Sequence, residues 1–467
     1  MQRRIFGIET EYGITCSDRA TGRPAMEAEA AARELFASAL RQSRSTNLFL
    51  PNGGRLYLDV GAHPEYATAE CDQLWDLLAQ IRAGAQILAD MAQEGDQRLL
   101  AAGTDASIHL FGNNQDYEGN SYGCHENYML RRSRDFRDVA DSLVAFFVTR
   151  QIVVGAGDLR RGEDGEVRYL ISSRADRMQD AVSAATTRSR PIINTRDEPL
   201  GDASSYRRLH VIVGDTNVAE PTTALKVASA DLVLGAVEQG VNLSDLELEN
   251  PMTSIREIAA DLDGQALLEL KDGRRMTAAQ IQTEILERAL SKADEVSLND
   301  LYRYLIDLWQ RATHAYASGD WSSIDTEIDY AIKKKLIDGY IARSGVPLSD
   351  SRITRLILAY HDITGAGLAP KMEQSGLVRR LTSNEQVITA MESAPATTRA
   401  SLRGGVIRAA QDARRDLGVD WVNLRLDGRG LQIALQDPFA TEDSRVDELI
   451  SIIMDRKQES SSGVSLV

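Results

Sequence analysis

Short stretches in which apolar and polar residues alternate predict a β-rich N-terminal half of the chain. Between them, apolar residues recur every three to four positions and predict helices. The expected strands are residues 4–16, 47–60 (a hairpin turning at Asn52-Gly53-Gly54), 105–112, 123–131, 166–173, 190–196 and 207–214. The expected helices are residues 25–43, 68–100 and 135–150. Because strands and helices do not alternate regularly, the pattern indicates an α+β fold with an antiparallel sheet.

The rest of the chain is predicted to be mostly helical from residue 221 to residue 361. Residues 362–397 lose this periodicity, which indicates a domain boundary. We therefore expect a large domain over residues 1–395 and a small α+β domain over residues 396–467. The elements expected in the small domain are a helix at 398–415, strands near 418–427 and 430–436, and a helix at 443–456.

The composition is that of an ordinary globular protein, since 43% of the 467 residues are hydrophobic and 26% are charged. The net charge of −16 argues against nucleic acid as the main partner, because binding phosphates needs a basic surface. No stretch approaches the roughly 18 apolar residues of a membrane-spanning helix, so no membrane partner is expected. The three scattered cysteines form no CxxC pair, and a reducing cytoplasm is the expected compartment.

Two glutamates on the first predicted strand are candidates for chemistry. Glu9 and Glu11 are two residues apart, so a strand directs both carboxylates to one face. Such a pair is costly to bury unless a cation lies between its members, and Mg²⁺ prefers oxygen ligands of this kind. The alternative is a strand with a solvated acidic face.

A second candidate group lies in the segment RLYLDV of the predicted hairpin. Arg55, Tyr57 and Asp59 alternate with apolar residues and therefore share one strand face. Glu65 and Thr68 follow shortly afterwards. An arginine can hold a phosphate in fork geometry, and a carboxylate can accept a proton from an attacking amine. A strand with one solvated side would give the same pattern.

Further polar residues share strand faces later in the chain. His125 and Asn127 lie two apart in the strand predicted over residues 123–131. Six basic residues, Arg208 among them, fall within residues 188–210 of an otherwise acidic protein. They indicate a cleft for an anion such as a phosphate or a substrate carboxylate. Scattered surface salt bridges are the alternative.

Long segments of the sequence resemble one protein family. They run in unbroken order and are GIETEYG (7–13), NGGRLYLDVGAHPEYATAEC (52–71), NSYGCHENY (120–128), SAATTRSRPIINTRDEP (183–199), YRRLHVIVGDTN (206–217), DTEIDYAIKKKL (325–336) and VDWVNLRL (419–426). These segments are similar to those of the Pup–protein ligases, which are carboxylate–amine ligases related to glutamine synthetase.

The resemblance implies a fold, a reaction and its partners. The expected fold is α+β: a glutamine-synthetase-like, curved antiparallel sheet that holds ATP and Mg²⁺, flanked by helices, with a small C-terminal α+β domain. The family phosphorylates the γ-carboxylate of the C-terminal glutamate of Pup, a small disordered protein modifier. It then joins Pup by an isopeptide bond to lysines of target proteins, which marks them for degradation by the proteasome.

The resemblance also implies roles for individual residues. The implied magnesium ligands are Glu9, Tyr57 and Glu65, the implied ATP contacts are Arg55, Thr68 and Trp421, and the implied proton acceptor is Asp59. Taken by its strand alternation alone, Trp421 would be expected in a core. From strand-face geometry we add further candidates for contact with the metal, a phosphate or the substrate carboxylate, namely Glu11, His125, Asn127 and Arg208.

Three alternatives compete with a ligase of Pup. The first is the related enzyme that deamidates Pup and removes it from targets, but it typically carries an insertion soon after the first strand, and here only 35 residues separate Glu11 from Asn47. The second is a ligase for a small molecule, which would share the metal carboxylates but not these long segments. The third is an inactive protein that binds Pup, which the intact set of polar candidates argues against.

Overall fold

The computed structural model describes residues 3–43, 45–59, 61–115, 121–132, 136–184, 190–293, 298–426 and 430–455. The strands are β1 Phe6–Glu11, β2 Gly13–Asp18, β3 Pro24–Met26, β4 Asn47–Phe49, β5 Arg55–Asp59, β6 His63–Ala67, β7 Ala106–Phe111, β8 Cys124–Arg131, β9 Asp158–Arg161, β10 Val167–Leu170, β11 Asp180–Ser183, β12 Pro191–Asn194, β13 Tyr206–Val211, β14 Leu267–Glu269, β15 Arg275–Thr277, β16 Leu417–Val419, β17 Asn423–Leu426 and β18 Leu431–Ala434. The helices are α1 Ala28–Leu35, α2 Ala37–Ser43, α3 Leu74–Ala101, α4 Phe136–Thr149, α5 Gln151–Val154, α6 Glu220–Glu238, α7 Pro251–Ala260, α8 Ala278–Leu290, α9 Asp300–Ser318, α10 Asp329–Ser344, α11 Ser351–His361, α12 Ala369–Gln374, α13 Asn384–Glu392, α14 Ala400–Ala413 and α15 Ser444–Met454.

The main sheet is formed, within the described residues, by eight strands in the order β11-β12-β13-β8-β1-β6-β5-β4. Neighbouring strands are antiparallel except for the edge pair β11 and β12, which run parallel. The α+β fold with an antiparallel sheet is therefore confirmed, with one parallel pair at its edge. The hairpin predicted over residues 47–60 is β4 and β5, joined through Gly53, whose φ of +80° suits a residue without a side chain.

One face of the main sheet packs into the core and the other carries polar side chains. Along β8, buried residues from Cys124 to Leu130 alternate with half-buried ones, as expected of a strand covered on one face. The buried face contacts helices such as α4, whose residues Leu143 and Phe147 are almost fully buried. This arrangement leaves the opposite, polar face of the central strands available for chemistry.

Several predicted elements are divided in the structure. The strand expected over residues 4–16 is two strands, because the chain leaves the main sheet after Glu11 and β2 pairs with β3 and β7 in a second sheet. The helix expected over residues 25–43 is interrupted at Phe36, which is fully buried. Residues 362–397 contain α12 and α13, and α13 begins with a capping box of Ser383 and Gln386 that the periodicity analysis missed.

The C-terminal residues have a core of their own. Apolar side chains of α14, β16, β17, β18 and α15 pack together, with Val406, Leu424, Ile433 and Leu449 at the centre. This separate core is consistent with the small C-terminal domain, while the boundary between residues 395 and 396 stays a prediction. None of the described helices combines the length and the apolar character that crossing a membrane requires.

Candidate active site

Strand register brings the predicted site residues together on the polar face of the main sheet. Glu11 on β1 lies opposite Glu65 on β6, and Glu65 lies opposite Tyr57 on β5. On the other side of β1, Glu9 lies opposite His125 on β8. Directly paired residues of antiparallel strands share a face with their Cβ atoms about 5 Å apart. The shared faces that the sequence predicts are thus present, and they merge into one surface.

These side chains form two overlapping groups of possible metal ligands. The ligand atoms of Glu9, His125 and His210 lie within 4.8 Å of one another, and so do those of Glu11, Glu65 and His125. We call these five residues the carboxylate cluster. His210 is one of the six basic residues counted within residues 188–210, but it was not among the candidate metal ligands, although its position two residues after Arg208 on a strand places both on one face.

The electrostatics of the carboxylate cluster fit a bound cation. Burial, together with the charges of Glu9 and Glu11, raises the pKa of Glu65 well above its usual value. Burial acts in the same direction on Glu9, but a hydrogen bond with His125 and the neighbouring imidazole and guanidinium groups outweigh it and lower the pKa of Glu9 to about 2. A divalent cation would relieve the crowding at Glu65, and carboxylate oxygens are the ligands that Mg²⁺ prefers.

Tyr57 and Arg55 lie beside this cluster on β5. Burial and the charges of Glu9 and Glu65 strongly raise the pKa of the Tyr57 phenol, so it stays protonated and meets a cation as a neutral oxygen. The Arg55 guanidinium stacks 4.1 Å from the centre of the Tyr57 ring, and its Nε donates to Asn47 Oδ1 at 2.8 Å. Arg55 pairs with no carboxylate among the described residues, so its charge remains available to a phosphate.

Asp59 occupies the end of β5, where the polar face opens to solvent. It lies opposite His63 on β6, and its side chain is exposed. His63 Nδ1 is 3.8 Å from Glu11 Oε2, so this end of the sheet borders directly on the carboxylate cluster. An exposed carboxylate beside the cluster can be reached by an incoming amine, as the predicted proton acceptor must be.

A cleft lies between the polar face and the C-terminal unit. Five predicted site residues line it, namely Glu9, Thr68, Asn127, Arg208 and Trp421. The Thr68 hydroxyl accepts a hydrogen bond from the backbone N–H of Ile8 at 3.1 Å, which fixes its position at the floor of the cleft. The cleft therefore lies between the main sheet and the C-terminal unit, at the edge of the carboxylate cluster.

Trp421 forms the wall of this cleft that belongs to the C-terminal unit. It is half-buried, so the structure supports a surface role rather than the core position that its strand alternation suggests. The Phe49 ring meets it edge-on with ring centres 5.0 Å apart, and the Arg403 guanidinium stacks 5.0 Å from its centre. These contacts hold the indole toward the cleft, where it can stack on a planar ring.

Asn127 and Arg208 connect the cleft with the carboxylate cluster. Asn127 donates to Glu9 Oε1 at 3.0 Å, and its own Oδ1 accepts from Arg208 at 3.1 Å. Arg208 also donates to Glu198 Oε2 at 3.1 Å, a carboxylate that sequence reasoning missed because it lies in an irregular segment. Both predicted residues are thus in the site.

Some of the basic residues within residues 188–210 form ion pairs and are less available to an anion than the sequence suggests. Arg196 lies 2.7 Å from Glu198, and Arg207 lies 3.9 Å from Asp197, so these two cations are neutralised locally. Arg188 lies outside the described residues. The predicted anion cleft therefore includes only some of these basic residues. Among the described ones they are Arg208 on one side of the carboxylate cluster and Arg190 on the other.

The sequence matches the family model described as Pup-ligase protein over residues 4–425. This chain belongs to the Pup-ligase family. A Pup–protein ligase of Xylanimonas cellulosilytica is 51% identical over 457 residues, which cover 96% of this chain and 99% of that relative. The family resemblance predicted from the sequence is confirmed.

Solved structures agree with this assignment to the Pup-ligase family. A complex of Pup with its ligase PafA matches with a TM-score of 0.91 and 43% identity, over 97% of this chain and 92% of that one. PafA in complex with ADP matches with a TM-score of 0.83 and 44% identity, over 92% and 94% of the two chains. A glutamate–cysteine ligase of Francisella tularensis, 10% identical over 84% and 98% of the two chains with a TM-score of 0.50, shares the fold alone.

Proposed function

We propose that this protein is an ATP-dependent ligase that joins the C-terminal glutamate of Pup to lysine side chains of target proteins. Membership of the Pup-ligase family supports the proposal, and one observation carries it in this chain. A single sheet face presents, in order, the cleft lined by Trp421 and Thr68, the carboxylate cluster, and the exposed Asp59. A ligase needs a nucleotide site, a site for phosphoryl transfer and a base for the amine in that order.

The first half of the proposed reaction activates the glutamate. The γ-phosphoryl group of ATP passes to an oxygen of the glutamate γ-carboxylate, which yields an acyl phosphate and ADP. Trp421 and Thr68 would position the nucleotide in the cleft, while Arg55 and Arg208 would hold its phosphates by charge-assisted hydrogen bonds. Mg²⁺, when bound, would neutralise the charge that develops on the transferring phosphoryl group.

The metal site is assigned to the crowded carboxylates. Glu9, Glu65 and Tyr57 are the proposed ligands, as the family resemblance implies. Glu11 and His125 contribute oxygen and nitrogen atoms to the same small volume and are proposed as additional contacts. The raised pKa of Glu65 supports this assignment, because a bound cation would stabilise its ionised form.

The second half of the proposed reaction forms the isopeptide bond. The lysine amine attacks the acyl carbon, Asp59 accepts the proton that the amine loses, and phosphate leaves with the bonding electrons of the acyl–oxygen bond. Asp59 suits this role because it is exposed at the open end of the site and forms no ion pair with another described residue that would block an amine. Asn127 would act indirectly by holding Glu9 and Arg208 in place.

The partners follow from the same proposal. They are Pup with a C-terminal glutamate and folded proteins that expose a lysine, and the modified proteins are destined for degradation by the proteasome. The three cysteines are unpaired and buried, which suits a reducing cytoplasm.

Intact-mass spectrometry tests the proposed function directly. The protein is incubated with ATP, Mg²⁺ and a lysine-bearing target, together with Pup ending in glutamate or, in a parallel tube, Pup ending in glutamine. The ligase predicts a target heavier by one Pup less one water, in the glutamate tube only. Conversion of the glutamine-ended Pup to the glutamate form without any conjugate would instead identify the related deamidase and overturn the proposal.

A further inference from the structure

A buried arginine that pairs with none of the described carboxylates lies at the end of the site that is remote from the nucleotide cleft. Arg174 is 2% exposed, and its Nε has no hydrogen-bond partner in the described part of the chain. Its NH1 donates to the Tyr122 carbonyl and, at 3.3 Å, to Ser121 Oγ. Among the described residues it forms no ion pair with a carboxylate. A guanidinium that is buried without an anion is costly, so this arrangement indicates a missing negative partner.

The loop that carries Arg174 is rigidly held. Asp215 accepts hydrogen bonds from the backbone N–H groups of Arg174 and Ser173 at 3.0 and 3.1 Å and from Ser172 Oγ at 3.0 Å. It also accepts one from the backbone N–H of Ala156 at 2.8 Å. The Asp215 carboxylate is thus engaged by backbone and hydroxyl donors, and it orients the loop without forming an ion pair with the Arg174 guanidinium.

A second arginine converges on the same place. Arg190 is exposed, and its NH2 donates to the Ser121 carbonyl at 3.1 Å. Burial lowers the pKa of Arg174, the charges of Glu11 and Asp215 oppose this shift, and the nearby charge of Arg190 adds to it. Two cations that approach each other around Ser121 repel, and an anion between them would remove that repulsion.

The segment after Ser121 connects these arginines to the reacting end of the site. The Tyr122 ring packs against His63, with ring centres 4.7 Å apart, and His63 lies opposite Asp59. Gly123 accepts a hydrogen bond from the Glu11 backbone, and a side chain there would bring its Cβ within 2.9 Å of Glu11 Oε1. The two arginines therefore flank the carboxylate cluster on the side of Asp59, whereas Arg208 flanks it on the side of the nucleotide cleft.

We propose that Arg174 and Arg190 form the subsite for the reacting γ-carboxylate of the C-terminal glutamate. The inference rests on the proposed function and deepens it, because it names the groups that hold the acceptor of the phosphoryl group. Arg174 supplies a fixed charge from the protein interior, and Arg190 closes the subsite from the solvent side. The lysine beside Asp59 would then meet the activated carbon at the same end of the sheet.

Binding measurements with two peptides test this subsite without relying on catalysis. Fluorescein-labelled Pup ending in glutamate and the same chain ending in glutamine differ only in the group that the arginines would hold. Fluorescence anisotropy gives both affinities for the wild type, Arg174→Gln and Arg190→Gln, and a fluorescent ATP analogue gives the affinity for nucleotide. Arg168→Gln is the matched control, since Arg168 is an exposed arginine that pairs with Asp164 in the hairpin of β9 and β10.

The wild type and Arg168→Gln are expected to prefer the glutamate-ended chain by about ten- to hundredfold, the usual range for hydrogen bonds to a charged group. Arg174→Gln and Arg190→Gln are expected to lose most of that preference while binding the ATP analogue normally. Retained preference in both variants, or a loss of nucleotide affinity instead, would overturn the subsite. Should Arg174→Gln fail to show a native thermal transition, the exposed Arg190→Gln decides the question.

The binding and mass experiments together distinguish a failure of the subsite from a failure of the proposed ligase activity. If the wild type conjugates Pup in the mass experiment but both variants keep the preference for glutamate, the subsite is wrong and the ligase stands. If the wild type forms no conjugate, the ligase itself is wrong.

Discussion

Two buried glutamates five residues apart have opposite electrostatic surroundings. Glu65 on β6 is 2% exposed and faces Glu9 and Glu11, whereas Glu70 is 8% exposed and lies between Arg399 and Arg403. Burial raises the pKa of both, but the two arginines lower the pKa of Glu70 to about 2, while the neighbouring carboxylates raise that of Glu65 further. Glu70 therefore takes part in a structural ion pair, whereas Glu65 belongs to the carboxylate cluster, whose negative charges lack enough positive partners.

Glu70, Arg399 and Arg403 form an ion-pair cluster that joins the C-terminal unit to the main sheet. We call these three residues the Glu70 cluster. Arg399 Nε and Arg403 NH1 both donate to Glu70 Oε1 at 2.9 Å. Arg403 also donates to the Gly53 carbonyl at 2.9 Å and to the Trp421 carbonyl at 3.2 Å. These bonds connect the turn between β4 and β5, the strand end after β6 and the wall of the cleft. These bonds hold the C-terminal unit against the main sheet beside the cleft, whereas the carboxylate cluster lies on the polar face with its negative charges only partly compensated.

The largest effect on activity is expected for Asp59→Asn, at the exposed end of β5 beside the carboxylate cluster. We expect the conjugation rate to fall by roughly 10²- to 10⁴-fold, because the amide cannot accept the proton of the attacking lysine. Binding of ATP and the thermal transition should be unchanged, since Asp59 is exposed and lies outside the nucleotide cleft. Initial rates by intact mass measure this, and a rate within threefold of the wild type would remove Asp59 from the reaction.

The comparison of the two glutamates makes a direct prediction about stability. Glu70→Gln should lower the free energy of unfolding by about 3–5 kcal/mol, because it leaves two buried arginines without their carboxylate. Glu65→Gln should leave the free energy of unfolding unchanged or raise it when divalent cations are absent, because it removes a mutual repulsion. Urea unfolding in buffer with a chelator measures both, and a larger loss at Glu65 than at Glu70 would refute the comparison.

The pH dependence of stability should separate the same two variants. The pKa of Glu70 in the folded protein, about 2, lies below the value of about 4.3 for an unfolded chain, so the ionised Glu70 stabilises the fold above that value. This contribution is lost as the pH falls from about 5 toward 2. The difference in unfolding free energy between the wild type and Glu70→Gln should therefore shrink between pH 5.5 and pH 3.5. A difference that stays constant over this range would show that Glu70 does not titrate as its ion pairs require.

A smaller effect on activity is expected at Trp421, which contacts Arg403 and lines the cleft. Trp421→Ala should raise the KM for ATP about tenfold, because an aromatic side chain stacked on a base contributes roughly 1–3 kcal/mol. The turnover number should change less, since the carboxylate cluster and Asp59 are untouched. Steady-state conjugation at varied ATP concentration gives both values, with Trp75→Ala, an exposed tryptophan in α3, as the control. An unchanged KM would place the nucleotide elsewhere.

The sequence predicts the polar sheet face well because strand alternation is a local property. Glu9 with Glu11, Arg55 with Tyr57 and Asp59, and His125 with Asn127 all share the faces that their spacing requires. Which strands become neighbours is a property of the whole fold, so the meeting of Glu65 with Glu11 could not be read from spacing alone. The family resemblance grouped Glu65 with Glu9 and Tyr57, whereas Glu11 was added from its strand face.

Apart from His210 on β13, the residues that pattern analysis missed lie outside the main sheet. Arg174, Glu198 and Arg403 reach the site from a loop, an extended segment and a helix of the C-terminal unit, where no periodicity relates them to the sheet. Conversely, the basic stretch contributes fewer free cations than its composition suggests, because Arg196 and Arg207 find carboxylates close by in the chain. Local pairing of this kind depends on backbone geometry that the sequence pattern does not contain.

Binding of a divalent cation to the carboxylate cluster is the most direct test of the proposed metal site. Mn²⁺ can be titrated into the protein, and the electron paramagnetic resonance signal of the free ion reports how much is bound. We expect the wild type and Arg168→Gln to bind Mn²⁺ with the same affinity, and Glu65→Gln to bind it at least tenfold more weakly while it remains folded. Equal binding by Glu65→Gln and the wild type would contradict the account, because the crowded carboxylates would then not be the metal site.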